Sequence, residues 1–233
     1  MNGKNQTKIW VIAVSNNYEA SLPYRLSTYR FCKNAECVIL QNWDGWISKL
    51  EELSKFLSGN CDDQDVVVFS DAHDFVFIKD IGNIAEDFFA SAKDIVFAAE
   101  KRCAHHSPQA KLAFESASDS EFRYLNSGMI IATAKNLRRA LKMILPYDDR
   151  IEVDQTLWGN LFTAQRPDLR IGLDYDRKFV HTANSITSED PAPATPYAIH
   201  VTWQDNQLQA EKFSRVLRRY GLENCDKNRQ QAQ

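Results

Sequence analysis

Three uninterrupted apolar runs constrain the fold more than any other feature. They are Lys8-Ile-Trp-Val-Ile-Ala-Val14, Asp65-Val-Val-Val-Phe-Ser70 and Asp94-Ile-Val-Phe-Ala98. Each is too short to cross a membrane and lacks the polar alternation of a half-exposed strand, so each reads as a strand covered on both faces. Between the first two lie two helical patterns and one short strand. Ser21 to Lys33 carries Leu22, Leu26 and Tyr29 at helical spacing, with Ser21 as N-cap and Pro23 in the first turn. Glu36 to Leu40 is the strand. Trp46 to Leu57 is amphipathic along Trp46, Leu50, Leu53 and Leu57, and Gly59-Asn60 ends it. Strands alternating with helices at this spacing require right-handed crossovers and a mostly parallel sheet, the α/β class. In such sheets ligands bind at the carboxyl ends of strands.

The rest of the chain changes character. Lys101 to Glu121 is polar and aperiodic and reads as a long functional loop or lid. Phe122 to Asn126 and Met129 to Ala132 resume strand character. Lys135 to Leu145 is a helix closed by Pro146, and Val153 to Phe162 is a second. Ser185 to Pro196, with three prolines, is an extended surface loop. Tyr197 to Val201 is a last strand, and a helix follows from about Gln207 to Tyr220. The division expected is one domain over 1–223 and a polar, frayed tail over 224–233.

Composition excludes several classes. The formal charge of -3 gives no electrostatic case for nucleic acid or an anionic membrane. Hydrophobic residues at 44% suffice for a full core. The five cysteines form no CxxC pair, which points to free thiols rather than a zinc knuckle. The N-terminus is polar, with no signal-peptide core or membrane span, and a cytoplasmic location is expected.

The densest chemistry is Val66-Val-Val-Phe-Ser-Asp71-Ala-His-Asp74, a buried strand running into two carboxylates three residues apart. Along a strand these would face opposite sides, so the chain must turn after Ser70 if both are to reach one cation. A hard cation held by carboxylates neutralises charge on a departing diphosphate; a solvated Asp turn is the plain alternative. His73 between them is solvent-facing or supporting. In Tyr124-Leu-Asn-Ser-Gly128, glycine permits close backbone approach and Asn126 can donate and accept to sugar hydroxyls, or the segment is a tight turn. Asp148-Asp149 and Asp154-Gln155 bring acidic and amide groups together near a helix start, by themselves a capping cluster. Ala198-Ile-His200 ends a strand in a histidine, by itself a structural one. Trp43, Trp46, Trp158 and Trp203 could stack on sugar rings or fill the core.

Taken in order, Phe-Ser-Asp-Ala-His-Asp74, Phe-Ala-Ala-Glu100, Tyr-Leu-Asn-Ser-Gly128, Asp154-Gln155, Leu173-Asp174 and Ala-Ile-His200 resemble the glycosyltransferase domain of procollagen lysyl hydroxylases and, more loosely, the collagen galactosyltransferases, over residues 8–205. The resemblance implies a GT-A fold, Rossmann-like with helices flanking a mostly parallel sheet. It implies a UDP-sugar donor and Mn²⁺, with Mg²⁺ second, because a nitrogen ligand suits manganese better. By motif, Asp71, Asp74 and His200 hold the metal. Asp154, Gln155 and Asn126 are the catalytic candidates. Val14, Asn16, Lys49, Ser70, Asp71, Ser127 and Gly128 lie on the donor side. The chain departs from the family after the histidine, where Val201-Thr-Trp-Gln-Asp205 replaces Gly-Asn-Gly, and after Glu100, where Arg102-Cys-Ala-His-His-Ser-Pro108 replaces Cys-Trp-Pro. A collagen-like acceptor therefore does not carry over: protein, glycan, lipid and small molecule all remain acceptor classes. No hydroxylase domain is expected within these 233 residues. Two other readings are a sugar-nucleotide-binding module without catalysis, and a phosphotransferase with Asp71 as nucleophile, although that chemistry typically wants its carboxylates two apart.

Overall fold

The computed structural model describes residues 7–146, 153–183, 195–202 and 206–223. A six-stranded sheet runs in the order β2-β1-β3-β6-β5-β7. Its strands are β1 (Ile9–Val14), β2 (Glu36–Leu40), β3 (Val66–Ser70), β5 (Ile95–Glu100), β6 (Tyr124–Thr133) and β7 (Ile171–Leu173). β1 pairs in parallel with β2 and β3, and β5 with β7. The exception is β6, antiparallel to both β3 and β5. A second sheet, β4-β9-β8, is built from β4 (Phe75–Phe77), β8 (Val180–Thr182) and β9 (Ala198–His200).

The apolar runs are buried on both faces, as their pattern requires. Along β1, Ile12 and Val14 face one core while Ile9, Val11 and Ala13 face another. The first core is closed by α2 (Trp46–Asn60), α4 (Pro108–Ala117), α5 (Ala134–Ile144) and α6 (Asp154–Thr163). The second is closed by α1 (Leu22–Phe31), α3 (Ile84–Ala90) and the small sheet. α7 (Asn206–Tyr220) packs Val216 on the outer face of that sheet, against Val76 and Ile199. No described helix is long and apolar enough to cross a membrane.

Several expectations need correction. Residues 101–121 are not a structureless loop. Ser107 caps α4 by accepting from the Ala110 N–H, Pro108 opens the helix, and Ala110 and Phe114 enter the core. Only two buried positions in ten residues leave too weak a period to read. On α1 the inward face is Tyr24, Ser27 and Thr28, while Tyr29 is 83% exposed. Ser21 makes no side-chain cap there, since its hydroxyl donates to the Tyr18 carbonyl instead. α2 continues through Gly59 to Asn60. The short β4, β7, β8 and α3 carry too few residues for a pattern. Asp148-Asp149, Trp203, the 203–205 turn, most of the 185–196 loop and the 224–233 tail lie outside the described residues.

Asp174 is buried in the connection from β7 to β8, where its carboxylate accepts from the N–H groups of Lys178, Phe179 and Val180. It therefore serves as a clamp on this loop. Asp174→Ala strands three donors and is expected to cost about 3 kcal/mol. Calorimetry checks this as a fall in Tm of roughly 6–12 °C.

Candidate functional site

The site is assembled where β3 stops. Residues 71–74 form the turn that the spacing demands, and β4 begins at Phe75. β9 runs antiparallel to β4 with His200 opposite Phe75, and the Val201 N–H donates to the Asp74 carbonyl. This register brings a third donor to the two carboxylates. One ligand atom each from Asp71, Asp74 and His200 lies within 4.8 Å of the others. His200 Nε2 is 3.5 Å from Asp71 Oδ2 and 3.4 Å from Asp74 Oδ1. Burial disfavours a charged His200 ring, but Asp74 and Asp71 outweigh it and raise its pKa.

The residues around this trio fit a bound divalent cation. Two carboxylates and an imidazole are a donor set that first-row divalent metals accept. The ring of His200 lies against Gly128, where a Cβ would come within 2.0 Å of its Cε1. The Asn126 Oδ1 lies 3.0 Å from His200 Nδ1, which leaves Nε2 turned to the carboxylates. On the other side, the Gln209 amide of α7 donates to Asp74 Oδ2 at 2.8 Å and to the Val201 carbonyl.

A second charged group adjoins the first. Lys49 of α2 is buried with its ammonium 2.6 Å from Asp71 Oδ1 and 3.2 Å from Asp154 Oδ2. Burial works against that charge, yet Asp154 and Asp71 raise the Lys49 pKa. The two carboxylates diverge. Burial would raise Asp71, but Lys49 and His200 overcome it and hold its pKa low, whereas burial dominates at Asp154 and lifts it. The Ser127 hydroxyl donates to Asp154 Oδ1, and the Ser127 N–H donates to Gln155 Oε1. The Gln155 amide donates to Glu100 and to the Ala104 carbonyl.

The profile of the PLOD GT domain matches residues 33–194, more than half the chain. The chain belongs to the PLOD GT domain family. It is thus a glycosyltransferase domain. Its fold matches solved GT-A structures. The galactosyltransferase LgtC, in complex with donor and acceptor sugar analogs, superposes with a TM-score of 0.55 at 14% identity, covering 91% of this chain and 96% of that one. A glycosyltransferase involved in glycosylation of the major capsid of PBCV-1 gives 0.53 at 10% identity, covering 89% and 99%. Curated protein sequences gave no match.

In this PLOD GT domain the residues singled out from the sequence are distributed unevenly. Asp71, Asp74, His200, Asn126, Ser127, Gly128, Asp154, Gln155 and Lys49 form one hydrogen-bonded and ion-paired network. Ser70 points away, its hydroxyl donating to the Tyr24 hydroxyl in the core. Val14 is buried at the end of β1, and the Asn16 amide donates to the Trp43 carbonyl at the surface. His73 is exposed, and its Nε2 lies 2.8 Å from the Ser15 hydroxyl. Trp158 is core, packed on Phe97, whereas Trp43 and Trp46 meet edge to face with Trp46 near the Lys49 ammonium. Sequence reading left Glu100 and Gln209 without roles. Glu100 followed a strand visibly, but nothing in the helical pattern of 207–220 marked Gln209.

Two glycines give a paired test of the close approach. Gly128→Ala must push the His200 ring aside and is expected to cost roughly 1–3 kcal/mol. A crystal structure of the variant should show the ring turned from Asp71 and Asp74. Gly59→Ala, in open space on α2, should instead stabilise by about 0.5–1 kcal/mol in denaturant unfolding.

Proposed function

We propose that the chain transfers a hexose, glucose or galactose, from a UDP-sugar to an acceptor hydroxyl, with Mn²⁺ held by Asp71, Asp74 and His200. The observation that carries this reading is the trio of ligand atoms within 4.8 Å, set beside a buried lysine–carboxylate cluster in a chain of this family. Bound there, the cation would offset the charge that develops on a departing nucleoside diphosphate.

The chain's own residues supply the rest. The Lys49 ammonium is held at the junction of Asp71 and Asp154, where it can meet a donor oxygen while keeping both carboxylates compensated. Asp154, buried and aligned by Ser127, faces the reaction as a carboxylate that can act on the acceptor proton or on positive charge at the anomeric carbon. Gln155 and Asn126 line the same wall, each tied to Glu100. Val14 and Asn16, at the end of the first strand, are assigned to the uridine side.

The test is release of UDP from UDP-glucose and UDP-galactose, with protein, glycan, lipid and small-molecule hydroxyls supplied as acceptors. Mn²⁺ should support turnover, and a chelator should remove it. Asp74→Ala should lower kcat/KM by roughly 100-fold or more, since it deletes a ligand. Donor binding without turnover under any acceptor would convert the reading to a binding module. Release of phosphate from simple phosphomonoesters would move it to phosphotransfer.

A further inference from the structure

Glu100 is a buried carboxylate beside the site to which neither the metal trio nor the lysine cluster assigns a task. It closes β5, is 3% exposed, and burial raises its pKa. Such a group is costly to keep unless its hydrogen bonds do something. Both of its short bonds arrive at one oxygen: Asn126 Nδ2 donates to Oε1 at 3.0 Å, and Gln155 Nε2 donates to the same atom at 3.2 Å.

The Asn126 amide has only one satisfactory orientation. The Gly128 backbone N–H can only donate, so the Asn126 atom 3.0 Å from it is the oxygen. The same oxygen is 3.0 Å from His200 Nδ1, which must then carry the hydrogen. The amide NH₂ is left facing Glu100, which can accept. Turning the amide over would set its NH₂ against the Gly128 donor and its oxygen against a carboxylate. Glu100 and Gly128 therefore grip the amide from opposite ends, and in the neutral ring that binds a metal the lone pair of His200 is left at Nε2, on the side of Asp71 and Asp74.

We propose that Glu100 is a positioning residue, which fixes the His200 ring for metal binding by holding the Asn126 amide. The proposal rests on the metal assignment above. Glu100 is not a ligand in it: the described groups able to share an ion are Asp71, Asp74 and His200. Supports of this kind typically change metal affinity 10–100-fold when removed.

The experiment measures Mn²⁺ dissociation constants by electron paramagnetic resonance on the metal-free chain, with Tm recorded for each variant. Glu100→Leu should weaken Mn²⁺ roughly 10–100-fold. Glu100→Gln keeps an acceptor oxygen for both bonds and should remain within roughly threefold of wild type. Asn126→Ala should resemble Glu100→Leu, and the double variant should be no weaker than Asn126→Ala alone, because the two act in series. Additive losses in the double variant would overturn the relay, as would Glu100→Gln binding as weakly as Glu100→Leu. A wild type that binds no Mn²⁺ would remove the metal assignment itself. A wild type that binds it while Glu100→Leu binds equally would overturn only the role of Glu100.

Discussion

The polar site depends on a fault in one strand pairing. Across β5 and β6, Phe97 faces Ile130 but the next residue, Ala98, faces Asn126. Residues 127–129 are thus looped out of the ladder with β5. A bulge of this sort bends the strand and re-aims side chains, and it is a common device beside active sites. Here the Asn-Ser-Gly triplet beside it reaches several separate parts of the chain. Asn126 meets β5 and β9 through Glu100 and His200, Ser127 meets α6 through Asp154 and Gln155, and the Gly128 carbonyl accepts from the Asp71 N–H. An unbroken strand would have turned alternate side chains into the two apolar cores instead.

Buried charge explains why the triplet must be held so tightly. Lys49, Asp154, Glu100 and His200 are each at most 4% exposed, and Asp71 and Asp74 are about one-fifth to one-quarter exposed. Leaving one such group uncompensated typically costs about 3–5 kcal/mol. The structure meets that demand by sharing: Lys49 serves two carboxylates, Glu100 serves two amides, and Gln209 covers the far oxygen of Asp74. Asp71 is the hinge of the arrangement, since it belongs both to the lysine cluster and to the prospective metal trio. Its pKa is held down by Lys49 and His200 against the effect of burial.

The sequence made the parallel half of the fold legible because a strand buried on both faces leaves an unbroken apolar run. β1 and β3 were found within a residue of their observed ends for that reason. The antiparallel direction of β6 was not legible, since periodicity carries no sense of direction. Yet the interruption at Ser127-Gly128, which separates Phe122–Asn126 from Met129–Ala132, falls within the bulge and shows as a gap in hydrophobicity. The turn after Ser70 followed from the geometry of two carboxylates three apart. Strand position does not say which face a small hydroxyl takes, and the Ser70 hydroxyl turns to Tyr24. Glu100 and Gln209 make their hydrogen bonds to residues 26 and 135 positions away in the chain, which no local pattern encodes.

His200 shows how apolar packing can place a polar ligand. It lies beyond the residues matched by the family profile, on a strand of three residues. Such a strand has few hydrogen bonds to fix its pairing. Its register is fixed instead by what lies on each face. Phe75, Phe77 and Ala198 enter the core beneath the main sheet, while Val76 and Ile199 enter the core under α7. A slip of one residue would exchange those faces and move both sets out of their cores. With the register held, His200 can only stand opposite Phe75, beside Asp74, with Gly128 leaving space for its ring. The position of His200 along the strand is therefore a consequence of five apolar side chains, with one missing Cβ leaving space for its ring.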